Sequence, residues 1–160
     1  MRPTARLIVI GALLTGGCNR TPPAPPPPPL RPVADVKQLM ASILEPAAEV
    51  YWDAVGTIED AKGVKEIAPA TDEEWAAVRN SAFVITEAGN LLMMTGRAKD
   101  DGDWMKLSEA LLDVGQRAIQ AAESKNPKAV FDTGAEVYDA CVACHSKYAL
   151  PVMRPNSVGR

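Results

Sequence analysis

The sequence predicts an all-α chain, folded as an antiparallel up-down four-helix bundle. Four stretches repeat apolar residues at alternating steps of three and four, the seam spacing of left-handed bundles. Capping residues and prolines fall at the ends of those stretches, where they favour helix starts and stops. Nothing in the chain reads as strand. The chain has 160 residues, and the part that carries the pattern, residues 33–150, is near the usual size for one core.

The first helix reads Val36, Met40, Ile43, Ala47, Val50, Ala54, with Leu39, Leu44 and Tyr51 widening the stripe. Pro46 lies inside it, where proline removes a backbone hydrogen bond and bends a helix. It either shapes a pocket near Met40 or is a tolerated bend. The second stripe is Trp75, Val78, Ala82, Ile85, Gly89, Leu92, opened by a capping box of Thr71 and Glu74. The third is Trp104, Leu107, Leu111, Val114, Ala118, Ala121, with Asp103 as its cap after the turn-rich residues 96–102. The last is Val130, Gly134, Val137, Cys141, Cys144, Tyr148. Asn126-Pro127 supplies its cap and first-turn proline, and Pro151 closes it. Short loops join the four helices. Charged residues such as Glu73, Arg79, Glu109 and Arg117 fall mostly off the stripes, as a solvated face requires.

Before the first helix, Arg2 and Arg6 precede an apolar run over residues 7–14, and Thr15-Gly16-Gly17 lead into Cys18. This is an export signal, too short to span a bilayer as a stable helix. A cysteine directly after small residues resembles a bacterial lipoprotein signal, with Cys18 the lipidated residue, although Thr15 stands where that pattern prefers leucine. Ordinary cleavage leaving a free thiol is the alternative; lipidation leaves no odd thiol in an exported protein. Residues 22–32 contain eight prolines in the run P-P-A-P-P-P-P-P-L-R-P. Such a run extends as polyproline II at about 3.1 Å per residue, a spacer of roughly 30–40 Å. Recognition by a proline-binding domain is the other use of such a run. The expected organisation is a lipoprotein-type signal peptide over 1–17, a lipidated cysteine and linker over 18–32, a four-helix domain over 33–150 and a tail over 151–160. The expected place is the periplasm, anchored to a membrane through the lipid. Asn19, where aspartate would signal inner-membrane retention, points toward the outer membrane.

Charge narrows the partners. The chain carries 17 basic and 20 acidic residues, and losing Arg2 and Arg6 with the signal takes its formal charge from −3 to −5. An acidic domain is a poor nucleic-acid binder. Docking of basic redox proteins is one use of such a surface, and simple solubility is the other.

Chemistry concentrates at Cys141-Val142-Ala143-Cys144-His145, which contains the sole histidine. C-x-x-C-H is the attachment site of a c-type haem, whose porphyrin bonds to both thiols while the imidazole coordinates iron. On a helix, residues three and four apart share a face, so Cys141, Cys144 and His145 can address one flat macrocycle. A zinc site would need two more cysteine or histidine ligands, and the chain has none to offer. A thioredoxin-like pair would want a βαβ pattern around it. One covalent haem c is the expected cofactor. Both cysteines lie on the apolar seam of the last helix, which puts the haem in the bundle core beside that helix. Haem attachment outside the bacterial cytoplasm agrees with the export signal.

C-V-A-C-H-S-K-Y at 141–148, late in a four-helix pattern, and L-M-A-S-I-L-E-P-A-A-E-V-Y-W at 39–52 resemble the class II cytochromes c, the cytochrome c prime family and its low-spin relatives. The resemblance covers roughly residues 33–150. It implies that Cys141 and Cys144 hold the haem, that His145 is the proximal ligand, and that the first helix faces the distal side of the iron. Members often carry a basic residue four positions after the histidine; Ala149 stands there here, and Lys147 lies at a different helical angle. Members also often dimerise through two helices, so a homodimer is one expectation, although no exposed stripe in the sequence argues for it.

Function then turns on the sixth coordination position. Met40 is the residue the resemblance matches to a distal ligand, whereas methionine at core spacing is more often a packing residue. Met93, Met94 and Met105 read as packing. Ligation by Met40 predicts a low-spin, six-coordinate electron carrier serving redox protein partners, with no enzymatic turnover. An apolar, open sixth site predicts instead a five-coordinate protein that binds NO or CO. Trp52, Trp75 and Trp104 read as core packing. Arg79, Arg97 or a lysine are the candidate propionate partners.

Overall fold

A computed structural model describes residues 29–149. The signal peptide, Cys18, most of the linker, and the tail with Pro151 lie outside the described residues. The chain is mostly helical with one small two-stranded sheet. Its elements are α1 (Val36–Leu39), a π turn (Met40–Leu44), α2 (Glu45–Asp53), β1 (Gly56–Asp60), β2 (Gly63–Ile67), α3 (Asp72–Met93), α4 (Asp103–Glu123) and α5 (Pro127–Tyr148).

Asp35 opens α1 with a capping box: its side chain accepts from Gln38 N–H at 2.7 Å, and the Gln38 side chain accepts from Asp35 N–H at 3.0 Å. Backbone angles at Leu39, Met40, Leu44 and Glu45 are all right-handed helical, so α1, the π turn and α2 form one continuous rod. Within it the Glu45 N–H reaches back five residues to the Met40 carbonyl. Pro46 follows, and it has no N–H to offer and a ring that would strike the carbonyl four residues back. A wide turn just ahead of it relieves that clash.

This turn corrects the stripe expected of the first helix. The buried residues run Leu39, Leu44, Ala47, Ala48, Tyr51, a first step of five before threes and fours resume. In an unbroken α-helix Leu39 would sit about 140° around the axis from Leu44. Instead Leu39 and Tyr51 are fully buried and Val50, placed on the stripe by sequence, is 46% exposed.

The hairpin is a second correction, since no strand was expected. β1 and β2 pair antiparallel from Gly56 opposite Ile67 to Asp60 opposite Gly63. Asp60 accepts from Lys62 N–H at 2.7 Å in the turn, and Gly63 closes it at φ 126°, a conformation that favours glycine. Both strands are exposed except at Gly56 and Ile67, which are half-buried. With no buried face there is no alternation for a sequence reading to find.

The other helices begin largely as the sequence implies. Thr71 accepts from Glu74 N–H at 3.2 Å while the Glu74 carboxylate accepts from Thr71 N–H at 3.1 Å. Asn126 accepts from Ala129 N–H at 3.1 Å, with Pro127 in the first turn. Asp103 does not cap α4. It is already the first helical residue, and Gly102 takes the cap position, while Asp100 accepts from Gly102 and Trp104 N–H at 2.9 and 3.0 Å.

α3 packs along α4, α4 along α5, and the rod along α3, whereas the rod and α5 meet only thinly. α3 and α4 approach closely at Gly115, where a Cβ would fall on the Thr86 hydroxyl and come within 3.0 Å of Thr86 Cα. Tyr51 crosses the core: its hydroxyl donates to the Ala118 carbonyl at 3.1 Å and pairs with Thr133 Oγ1 at 2.7 Å. Among the described residues every buried polar side-chain atom has a partner.

Candidate functional site

Where the rod and α5 part, a cavity of about 320 Å³ opens. Met40 at the head of the π turn, and Cys141 and His145 one turn apart on α5, all line it. Leu44 and Val137 flank them, and Ile85, Leu92 and Leu111 supply a floor from α3 and α4. The structure thus brings three of the four candidate haem residues to one apolar space. Cys144 is half-buried one turn beyond Cys141 and is not among the cavity walls.

Three sets of contacts hold this space. Toward the hairpin end, Trp52 donates its indole N–H to the Gly134 carbonyl at 2.9 Å. A Cβ on Gly134 would lie 3.3 Å from the Trp52 ring, so the glycine admits that close approach. Beyond His145, Lys147 pairs with Asp103, and Tyr148 donates to Asp100 and stacks edge-on against Trp104 at 5.0 Å. Lost solvation and the nearby Asp100 push the Tyr148 hydroxyl up to about 12, so it stays protonated as the donor. Lys147 is thereby occupied.

At the start of the rod, the buried Arg97 donates to the carbonyls of Ala34 at 2.9 Å and Leu91 at 3.0 Å, and to Met94 Sδ at 3.1 Å. It ties the chain just before α1 to the end of α3, which sets where Met40 begins. Arg97 therefore serves as a tie in the fold rather than standing free for a propionate. Arg79 lies beside Asp72, Trp75 and Lys125, about 20 Å along α3 from Leu92. Met94 and Met105 pack as expected.

The two thiols are free, and burial pushes both above the ordinary cysteine value, with Cys144 adding to the shift at Cys141. Catalytic dithiols depend on a lowered value, so a thiol–disulfide exchange site is disfavoured. Among the described residues no group of three or more His, Cys, Asp or Glu could hold a metal ion. Any iron bound at His145 would need its remaining ligands from elsewhere. A porphyrin supplies four nitrogens, and a cavity with an imidazole, a thioether and a mostly apolar lining, with Glu45 also on its wall, fits one chemically.

Trp75 and Trp104 are buried as packing residues, but Trp52 lines the cavity. Tyr138 lines it too, and the sequence reading passed over it because it sits one residue off the apolar seam. The signal for Trp52 was its spacing of four from Ala48, itself four from Leu44.

No family model matches this chain, and no curated protein and no solved structure matches it either.

Proposed function

We propose that this chain is an exported, lipid-tethered monohaem c-type cytochrome that carries electrons on an antiparallel up-down four-helix bundle. One observation carries the reading: Met40 from the rod and His145 from α5 line the same apolar cavity as Cys141. The opposed directions of the rod and α5 support the bundle. Tyr51 near the end of the rod meets Thr133 near the start of α5, while Met40 near its start shares the cavity with His145 near the end.

In this reading Cys141 and Cys144 would hold the haem covalently, and His145 and Met40 would bind its iron. The haem supplies a one-electron iron couple when bound. The chain's own residues do the rest. A thioether at Met40 favours ferrous iron and raises the potential relative to an all-nitrogen site. Leu44, Ile85, Leu92 and Leu111 exclude water and lower the local polarity, which disfavours the net charge gained on oxidation. The clips at Arg97, Asp100 and Asp103 hold both ligand-bearing segments, so little rearrangement accompanies a change of oxidation state.

The deciding measurement is the absorption spectrum of the purified holoprotein, ferric and ferrous, with and without CO. Low-spin bands and a far-red thioether-to-iron feature are expected, the latter lost in Met40→Ala with CO then binding at once. High-spin bands and immediate CO uptake in the parent protein would replace this reading with that of a five-coordinate NO- or CO-binding protein.

A further inference from the structure

Trp52 and Tyr138 each line two spaces: the cavity shared by Met40 and His145, and a groove of about 300 Å³ on the outer side of the α2–α5 seam. They therefore form a wall between that cavity and the outer groove. The wall is firm. The rings meet edge to face at 6.0 Å, and the Trp52 indole is tied to the Gly134 carbonyl. Outside it, Tyr138 is 57% exposed and Phe131, two turns earlier on the same face of α5, is 61% exposed. Large aromatic groups placed so openly around a groove are poor use of a surface that only water touches.

Carboxylates border this aromatic centre. Asp139 follows Tyr138 into the groove wall, and the exposed Glu49 and Asp53 lie on α2 within one turn of Trp52. Among the described residues none of the three takes part in a salt bridge.

We infer that this groove is the docking face of the carrier, and that it takes a redox protein with an apolar centre and a lysine- or arginine-rich rim. The inference rests on the electron-carrier reading of the cavity. Unpaired carboxylates around an apolar patch steer a cationic partner into register, while the aromatic centre supplies contact that salt does not screen. A second copy of this chain would bring the same three carboxylates to the same place, which opposes self-association there. One electron crosses at this wall, the iron being oxidised by one and the partner's centre reduced by one. No bond is made or broken.

The test is an amide chemical-shift titration of the isotope-labelled holoprotein in its ferrous form, with a small lysine-rich c-type cytochrome as the probe. It is run at about 10 mM and about 150 mM salt, between which the Debye length falls from about 30 Å to about 8 Å. Shifts are expected on α2 and α5 around Trp52, Phe131 and Tyr138, with affinity falling about tenfold across that salt range. The exposed triple variant Glu49→Gln, Asp53→Asn, Asp139→Asn is expected to lose about as much at low salt and little at high salt. Tyr138→Ala weakens binding at both. Shifts on another face, or a triple variant that binds as the parent does, overturn the docking face. Self-association through the same amides without the probe makes a second copy the occupant and overturns it as well. The spectrum of the same sample judges the cavity separately: a high-spin, CO-binding iron with the groove shifts intact overturns the redox role and leaves the docking face standing.

Discussion

Tyr51 is the residue on which the core and the candidate site both depend. Its ring is fully buried, and its hydroxyl satisfies the Ala118 carbonyl of α4 while pairing with Thr133 of α5. Burial pushes its pKa above the ordinary tyrosine value, so the hydroxyl remains a neutral donor at physiological pH. Next to it, Trp52 forms part of the cavity wall. Tyr51→Phe keeps the ring but leaves a buried carbonyl without its side-chain donor, a loss of about 1–3 kcal/mol. The expected result is a lower denaturant midpoint with an unchanged slope. A midpoint equal to that of the parent would mean that water or Thr133 rotation replaces the bond, and that the hydroxyl does not brace the rod against α4.

At the scale of elements, the π turn is what allows a proline-containing helix to serve two purposes. It brings Leu39 into the core five residues before Leu44, while Met40 lines the cavity. Sequence periodicity alone set Met40 and Val50 on one seam, because a constant step of 3.6 cannot register one wide turn. Deleting Ser42, which is exposed, converts the wide turn to an ordinary one with the same flanking faces. Pro46 would then sit in a helix interior, at about 3 kcal/mol. Combining the deletion with Pro46→Ala should restore stability to within about 0.5 kcal/mol of the parent, read by thermal or denaturant unfolding. A deletion that is harmless by itself would show that Pro46 is not the reason for the π turn. The hairpin was illegible for a different reason: exposed on both faces, it depends on the Asp60–Gly63 turn and a five-pair ladder rather than on a buried side.

For the whole molecule, the thin contact between the rod and α5 is the organising feature. The α3–α4, α4–α5 and rod–α3 pairs are closely packed, and both the cavity and the outer groove lie along this seam. No helix among the described residues is long and apolar enough to cross a membrane. Cys18 is the proposed anchor. Mass spectrometry of the N-terminal peptide from membranes is expected to find diacylglycerol on Cys18 at a chain beginning there. An unmodified Cys18, or a chain retaining residues 1–17, would remove the tether from the proposal.

What the sequence by itself determined is local and periodic. Three stripes, the Thr71 capping box and the Asn126-Pro127 start all reappear in the structure, because helix boundaries answer to nearby backbone donors and a regular burial period. The spacing of Cys141, Cys144 and His145 was equally plain, since a three-and-four step is a property of one helix. Tertiary structure alone decided the rest. Asp100 rather than Asp103 accepts from the first turn of α4, Arg97 is spent on carbonyls rather than left for an anion, and Trp52 and Tyr138 become a wall between two spaces. Each of these depends on which distant segment arrives beside the residue, and a one-dimensional period holds no information about that.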